Sequence, residues 1–189
     1  MTKKILIDGI PGSGKTTLLT CLHTSGYLIF EESIRKFFSE ARLQGLKPFE
    51  NLSFFLEKAI RQDLENLLAA QTHPLAFFDR GLPYYRFMQE DLKDIVVRLP
   101  EDYERIAQQN RYHQVFLFEP VWQFDMSVPR PNESATRIYT QEKRLEMHRH
   151  LKNTYQDFGY ETTEVPIFSA DKEANLRQRA GFITKQLVL

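Results

Sequence analysis

The stretch Gly9-Ile10-Pro11-Gly12-Ser13-Gly14-Lys15-Thr16-Thr17 decides how this chain of 189 residues is read. Its first eight residues match G-x-x-x-x-G-K-[ST] in full. The glycines let the backbone turn with its N–H groups facing inward, making a nest for an anion. A helix starting behind the loop adds the positive end of its dipole. Lys15 brings a point charge for the outer phosphates of a nucleotide, and Thr16 a hydroxyl for Mg2+. Gly9, Pro11, Gly12, Ser13, Gly14, Lys15, Thr16 and Thr17 are therefore the candidate phosphate-binding residues. Motors, switches, transporters and kinases all use such a loop, so the stretch alone does not choose among them.

Working outward, KKILID before the loop reads as a short buried strand. Lys15 to about Ser25 reads as a helix closed by Gly26. YLIFEE (27–32) is a second strand with acids at its end, and SIRKFFSEARL continues as a helix to Gly45. Leu52, Phe55, Leu56, Ala59, Ile60, Leu64, Leu67 and Leu68 recur at helical spacing and predict a strong amphipathic helix. LAFFD (75–79) and HQVFLFEP (113–120) read as further buried strands, and TTEVPIF (162–168) as a weaker fifth. Helices are expected at 84–91, 101–110 and 141–158, with Asp171 capping a last one. SVPRPNESATR (127–137) reads as a loop rich in turn residues. Short apolar strands alternating with helices predict an α/β chain with a parallel sheet covered on both faces, in one domain over 1–189.

Composition narrows the partners. Lys plus Arg and Asp plus Glu number 25 each, so nothing global favours a nucleic acid or an acidic membrane face. The lone cysteine, Cys21, excludes a disulfide framework and is expected in the core of the first helix. No apolar run approaches a membrane span and no apolar signal region precedes the loop, so a cytoplasmic protein is expected. His148 and His150 lie two apart, do not share a helix face, and read as surface or packing rather than as metal ligands.

The second chemical element is LAFFDRGLP. Asp79 ends a buried strand, where a carboxylate can hold Mg2+ through water or orient an attacking hydroxyl. A helix-capping role is the alternative. The next residue is Arg80, whereas ATP-driven motors and transporters place a water-activating Glu there. N-K-x-D, D-x-x-G and LSGGQ are absent, which argues against switch and transporter readings.

Taken together these residues resemble the P-loop kinase group. More narrowly, they are similar to the AAA-labelled, kinase-like ATPases related to ribosylnicotinamide kinases. The resemblance rests on GIPGSGKTT, FEESIR, FFDRGLP, the arginine-bearing loop at 130–137 and YQDFGYETTEVP, in that order along nearly the whole chain. It implies a three-layer P-loop NTPase fold with a five-stranded parallel sheet of order 2-3-1-4-5. It also implies a lid over the phosphates at about 125–137 and an acceptor pocket beside the second strand. ATP and Mg2+ are the implied cofactors. Glu32 falls where similar kinases hold the acceptor hydroxyl, with a helix N-cap as the plain alternative. Arg35 is placed to meet Glu32 or the acceptor. Arg137, and then Arg130 and Arg80, are the cations available for the transferring phosphoryl group. Relatives often carry an acid after GLP, where this chain has Tyr84, a candidate acceptor contact.

Two functional readings stand at this stage. One is a kinase acting on a small hydroxyl-bearing acceptor, nucleoside or nucleotide-like. The other is a regulatory or interaction protein that binds or hydrolyses ATP. The oligomeric state is left open.

Overall fold

A strand buried on both faces has no polar side to alternate, so the central strands here are continuous apolar runs. β1 (Lys3–Asp8) buries Ile5, Leu6, Ile7 and Asp8, β3 (Leu75–Asp79) buries its last four residues, and β4 (Gln114–Phe118) does the same. β2 (Leu28–Phe30) and β5 (Thr162–Val165) are shorter and half-buried, as befits edges. The chain is seen here as a computed structural model that describes residues 2–92, 95–121 and 140–187.

All four ladders are parallel, and the order is β2-β3-β1-β4-β5. This is the order that the resemblance implies. Ile7 pairs with Asp79 on one side and Asp8 with Leu117 on the other. The loop after β1 therefore leaves the carboxyl edge of the middle strand, where open α/β sheets carry their ligands.

Side chains alternate across a strand, so each strand feeds two cores. Ile5, Ile7, Phe77, Phe116 and Phe118 face α1 (Lys15–Thr24) and α7 (Lys172–Leu187). Leu6, Ala76, Phe78, Val115 and Leu117 face the other layer. That layer holds α2 (Ser33–Leu43), α3 (Leu52–Ala69), α4 (Leu82–Asp91), α5 (Tyr103–Gln109) and α6 (Gln141–Asp157). α2 packs on α3, and α4 on α6. Asp171 caps α7, accepting from the Ala174 N–H at 2.7 Å.

Three expectations are corrected. Cys21 is only half-buried. Leu68 is exposed, and the stripe of α3 instead buries Asp63 four residues after Ala59. The second strand stops at Phe30, leaving Glu31 exposed and Glu32 at the N-cap of α2. No described helix is long and apolar enough to cross a membrane.

Candidate functional site

Gly9 has φ 152°, and a Cβ there would meet the Phe118 carbonyl oxygen at 2.8 Å and Ser13 Oγ at 2.9 Å. Only glycine lets β4 approach the loop so closely. Gly14 takes a left-handed conformation, φ 88°, as the N-cap of α1, and Leu18 N–H donates to its carbonyl. Lys15 is buried, and its Nζ donates to the carbonyls of Gly9 (2.5 Å) and Ile10 (3.2 Å) and to Ser13 Oγ (3.4 Å). Burial pushes its pKa down to about 8, with Arg80 adding to the drop and Asp79, Asp8 and Glu32 opposing it. Thr16 is half-buried, while Pro11 and Thr17 are exposed.

A cation lies under this loop. Arg179 of α7 is 2% exposed and spends its donors on main-chain carbonyls: Ser13 (2.6 Å), Pro166 (2.9 Å), Glu119 (3.2 Å) and Val165 (3.4 Å). It ties the phosphate loop to the ends of β4 and β5. Burial lowers its pKa to about 10, opposed by Glu119.

Beside Lys15 three carboxylates converge. Asp8 is fully buried, accepting from Gly9 N–H and from the Tyr155 hydroxyl, both at 2.7 Å. Burial raises its pKa, against Arg80 and Lys15. Asp79, also buried, is raised to about 6 by burial first and by Glu32 second. Its Oδ1 is buried without a hydrogen-bond partner. Glu32 does not use its side chain to cap α2. One oxygen instead takes Arg80 Nη1 at 2.5 Å, and the other pairs with Arg35 Nη2 at 2.7 Å.

Arg80 is the hub. Its φ of 66° is left-handed, a conformation that costs a non-glycine residue on the order of 1 kcal/mol. The surroundings hold it there. Its N–H donates to the Ile7 carbonyl at 3.0 Å, its Nε stands 3.5 Å from Asp8 Oδ1, and its guanidinium lies 3.9 Å from the centre of the Tyr84 ring. Tyr84 thus serves as the platform for Arg80. Arg35, by contrast, is 44% exposed and also donates to Thr16 Oγ1 at 3.2 Å.

Behind Glu32, Asp63 accepts from Ser33 Oγ (2.5 Å) and the Tyr85 hydroxyl (2.7 Å). This buried carboxyl fixes the first residue of α2, and with it Glu32. Burial raises its pKa to about 7, against the two hydrogen bonds. A raised carboxyl favours the protonated folded state, so its contribution is complete below about pH 4 and is lost as pH rises to about 7. Asp63→Asn is expected to remove this share of the pH dependence. Urea unfolding at pH 4.5 and 8 should show the difference between variant and wild type moving in favour of the variant by up to about 3 kcal/mol.

The structure thus gathers Lys15, Thr16, Glu32, Arg35, Asp79 and Arg80 of the sequence candidates. A cleft of about 720 Å³ opens beside them, lined by Thr16, Glu32, Arg35 and Asp79 and running between α1 and α2. Arg130, Arg137 and the expected lid lie outside the described residues. Asp8, Asp63 and Arg179 escape a reading of the sequence, although each leaves a trace. Asp8 closes an apolar strand, and the other two interrupt apolar helix stripes. Mg2+ fits the residues present. The orphaned Asp79 Oδ1 and the Thr16 hydroxyl are hard oxygen donors, and Mg2+ commonly takes one or two protein ligands besides phosphate and water. His150 pairs with Glu90 at 2.7 Å, and His148 is buried with its Nε2 3.9 Å from a Glu164 carboxylate oxygen.

A parallel sheet in this order, with a glycine loop and lysine after its middle strand, is the P-loop NTPase fold in its kinase-like form. The chain belongs to the AAA domain family, whose model matches residues 4–174. In sequence, no curated protein matches it. Among solved structures it is similar to deoxyadenosine kinase from M. mycoides with bound dATP, with 18% identity, TM-score 0.64 and 98% of each chain covered. It is similar to the NadR protein in complex with NAD and AMP-PNP, with 16% identity and TM-score 0.64, over 97% of this chain and 49% of that one. Thymidylate kinase from Ehrlichia chaffeensis aligns at 14% identity and TM-score 0.56 over 98% of each chain. At these identities the shared property is the fold.

Proposed function

We propose that this protein is an ATP-dependent phosphotransferase acting on a small hydroxyl-bearing acceptor, nucleoside or nucleotide-like. The observation that carries the reading is the pair of buried acids, Glu32 and Asp79, at the rim of the phosphate loop beside Lys15. A loop that only gripped a nucleotide would use one carboxylate toward Mg2+ and has no use for a second, which repels the phosphates. A transferase uses one on the attacking hydroxyl and one toward a metal. The nucleotide part extends to this chain what the dATP and AMP-PNP structures hold on the same fold.

In the proposed reaction the acceptor oxygen attacks the γ-phosphorus. An O–P bond forms, the bond to the β,γ-bridging oxygen breaks, and that electron pair leaves with ADP. Glu32 takes the hydroxyl proton. Lys15 and the inward amides of residues 12–16 hold the β- and γ-phosphates, with Arg137 or Arg130 as the lid cation over the transferring group. Mg2+, held by Thr16 and Asp79, would offset phosphate charge. Arg80 keeps Glu32 in place and Tyr84 keeps Arg80 in place. The cytoplasm is the proposed location, consistent with a lone thiol.

A screen of hydroxyl compounds with γ-labelled ATP tests this. Label should move to at least one small acceptor. Glu32→Gln should then lower kcat roughly a hundredfold while ATP still binds. ATP bound without transfer to any compound, and turnover raised only by a protein, would favour a regulatory ATPase instead.

A further inference from the structure

Each oxygen of Glu32 faces a guanidinium: Oε1 is hydrogen-bonded to Arg80, and Oε2 lies in an ion pair with Arg35 at 2.7 Å without a hydrogen bond. A guanidinium at ion-pair distance occupies the place that an acceptor hydroxyl needs at a carboxylate oxygen. One arginine has to let go before Glu32 can serve an acceptor. Arg80 is ill placed to do so. It is 8% exposed, fixed by Asp8 and the Tyr84 ring, and held in a left-handed backbone conformation. Arg35 is the mobile choice. Its side chain is 44% exposed and borders the 720 Å³ cleft. Two carboxylates in the same cleft lining, Glu31 and Glu40, make no ion pair or hydrogen bond among the described residues.

The other end of Arg35 gives it a reason to move. Its Nη1 donates to Thr16 Oγ1, the hydroxyl that the proposed function turns toward a metal. A guanidinium at hydrogen-bond distance occupies that oxygen and opposes a second cation there. The two uses of Thr16 compete.

Resting on that functional reading, we propose that Arg35 is a latch between the two halves of the site. While it bridges Thr16 and Glu32, neither is available. When Thr16 turns to a metal-bound nucleotide, Arg35 swings into the cleft toward Glu31 and Glu40 and one oxygen of Glu32 comes free. Nucleotide then precedes acceptor. Arg35 is a positioning residue in this scheme, acting through Thr16 and Glu32.

The test is calorimetric titration of the full chain with a non-hydrolysable ATP analogue, with Mg2+ and with EDTA, for wild type and Arg35→Gln. The latch lowers the benefit that Mg2+ brings. The ratio of affinities with and without the metal should therefore rise roughly tenfold in the variant, a typical size for coupling between linked sites. Damage to the fold would lower binding in both conditions and cannot produce this gain. Arg35→Lys, which keeps the charge but loses the two-pronged fork, should fall between the two. An unchanged or smaller ratio in Arg35→Gln would overturn the latch and leave the kinase reading standing. Wild type that binds no nucleotide in either condition would overturn both.

Discussion

Lys15→Met is expected to cut phosphoryl transfer by roughly a thousandfold or more and to leave a folded protein. The transferring group spreads negative charge over its outer oxygens, and one cation placed there in advance is worth about that factor. The fold should tolerate the change because the ammonium is an expense to it. Its pKa is driven down to about 8, and burial is the main cause. Methionine keeps the length of the stem while removing a buried charge. The measurement is steady-state turnover together with thermal unfolding. Turnover within tenfold of wild type would remove Lys15 from the reaction.

Arg80→Met is expected to have the largest effect on stability. Arg80 lies at ion-pair distance from both Glu32 and Asp8, and Asp79 also feels its charge. Removing one partner of a buried ion network leaves the others uncompensated, at a cost of about 3–5 kcal/mol. The sign of the pH dependence follows. Without Arg80 the folded-state pKa values of Asp8 and Asp79 rise further, so the protonated forms dominate to higher pH. Their contribution is complete in acid and is lost as pH rises. Urea unfolding should therefore show a modest deficit near pH 5 and the full one near pH 8. A deficit independent of pH would point to lost packing on Tyr84 instead. Arg80→Lys keeps the charge and should recover part of the loss.

The strands were legible because burial on both faces leaves an uninterrupted apolar run, and Ile5 to Ile7, Ala76 to Phe78 and Val115 to Phe118 are such runs. Nothing in such a run says which strand lies beside it, and the order came from resemblance to a family. The phosphate loop was legible because its donors are consecutive in the chain. The acid–arginine cluster was only half so. Glu32, Asp79 and Arg80 stand out at strand ends, but their mutual pairing depends on Arg80 adopting φ 66°, which no local pattern announces. The same limit applies to Tyr155 and Asp8, 147 residues apart. Asp63 was passed over because helical periodicity draws the eye to Leu64 and Leu68, and the stripe tilts away from Leu68 at its end.

Arg179 sets a sequence of events in the making of this protein. The phosphate loop is translated well before α7, and the Ser13 carbonyl finds its donor 166 residues later. Domains complete themselves only when their distant contacts have been synthesised. A nascent chain stalled before α7 already has β1, β3 and β4 to pair, but its loop lacks the cation beneath it. The loop thus gains its full support only once α7 has been made, however early the loop itself was translated.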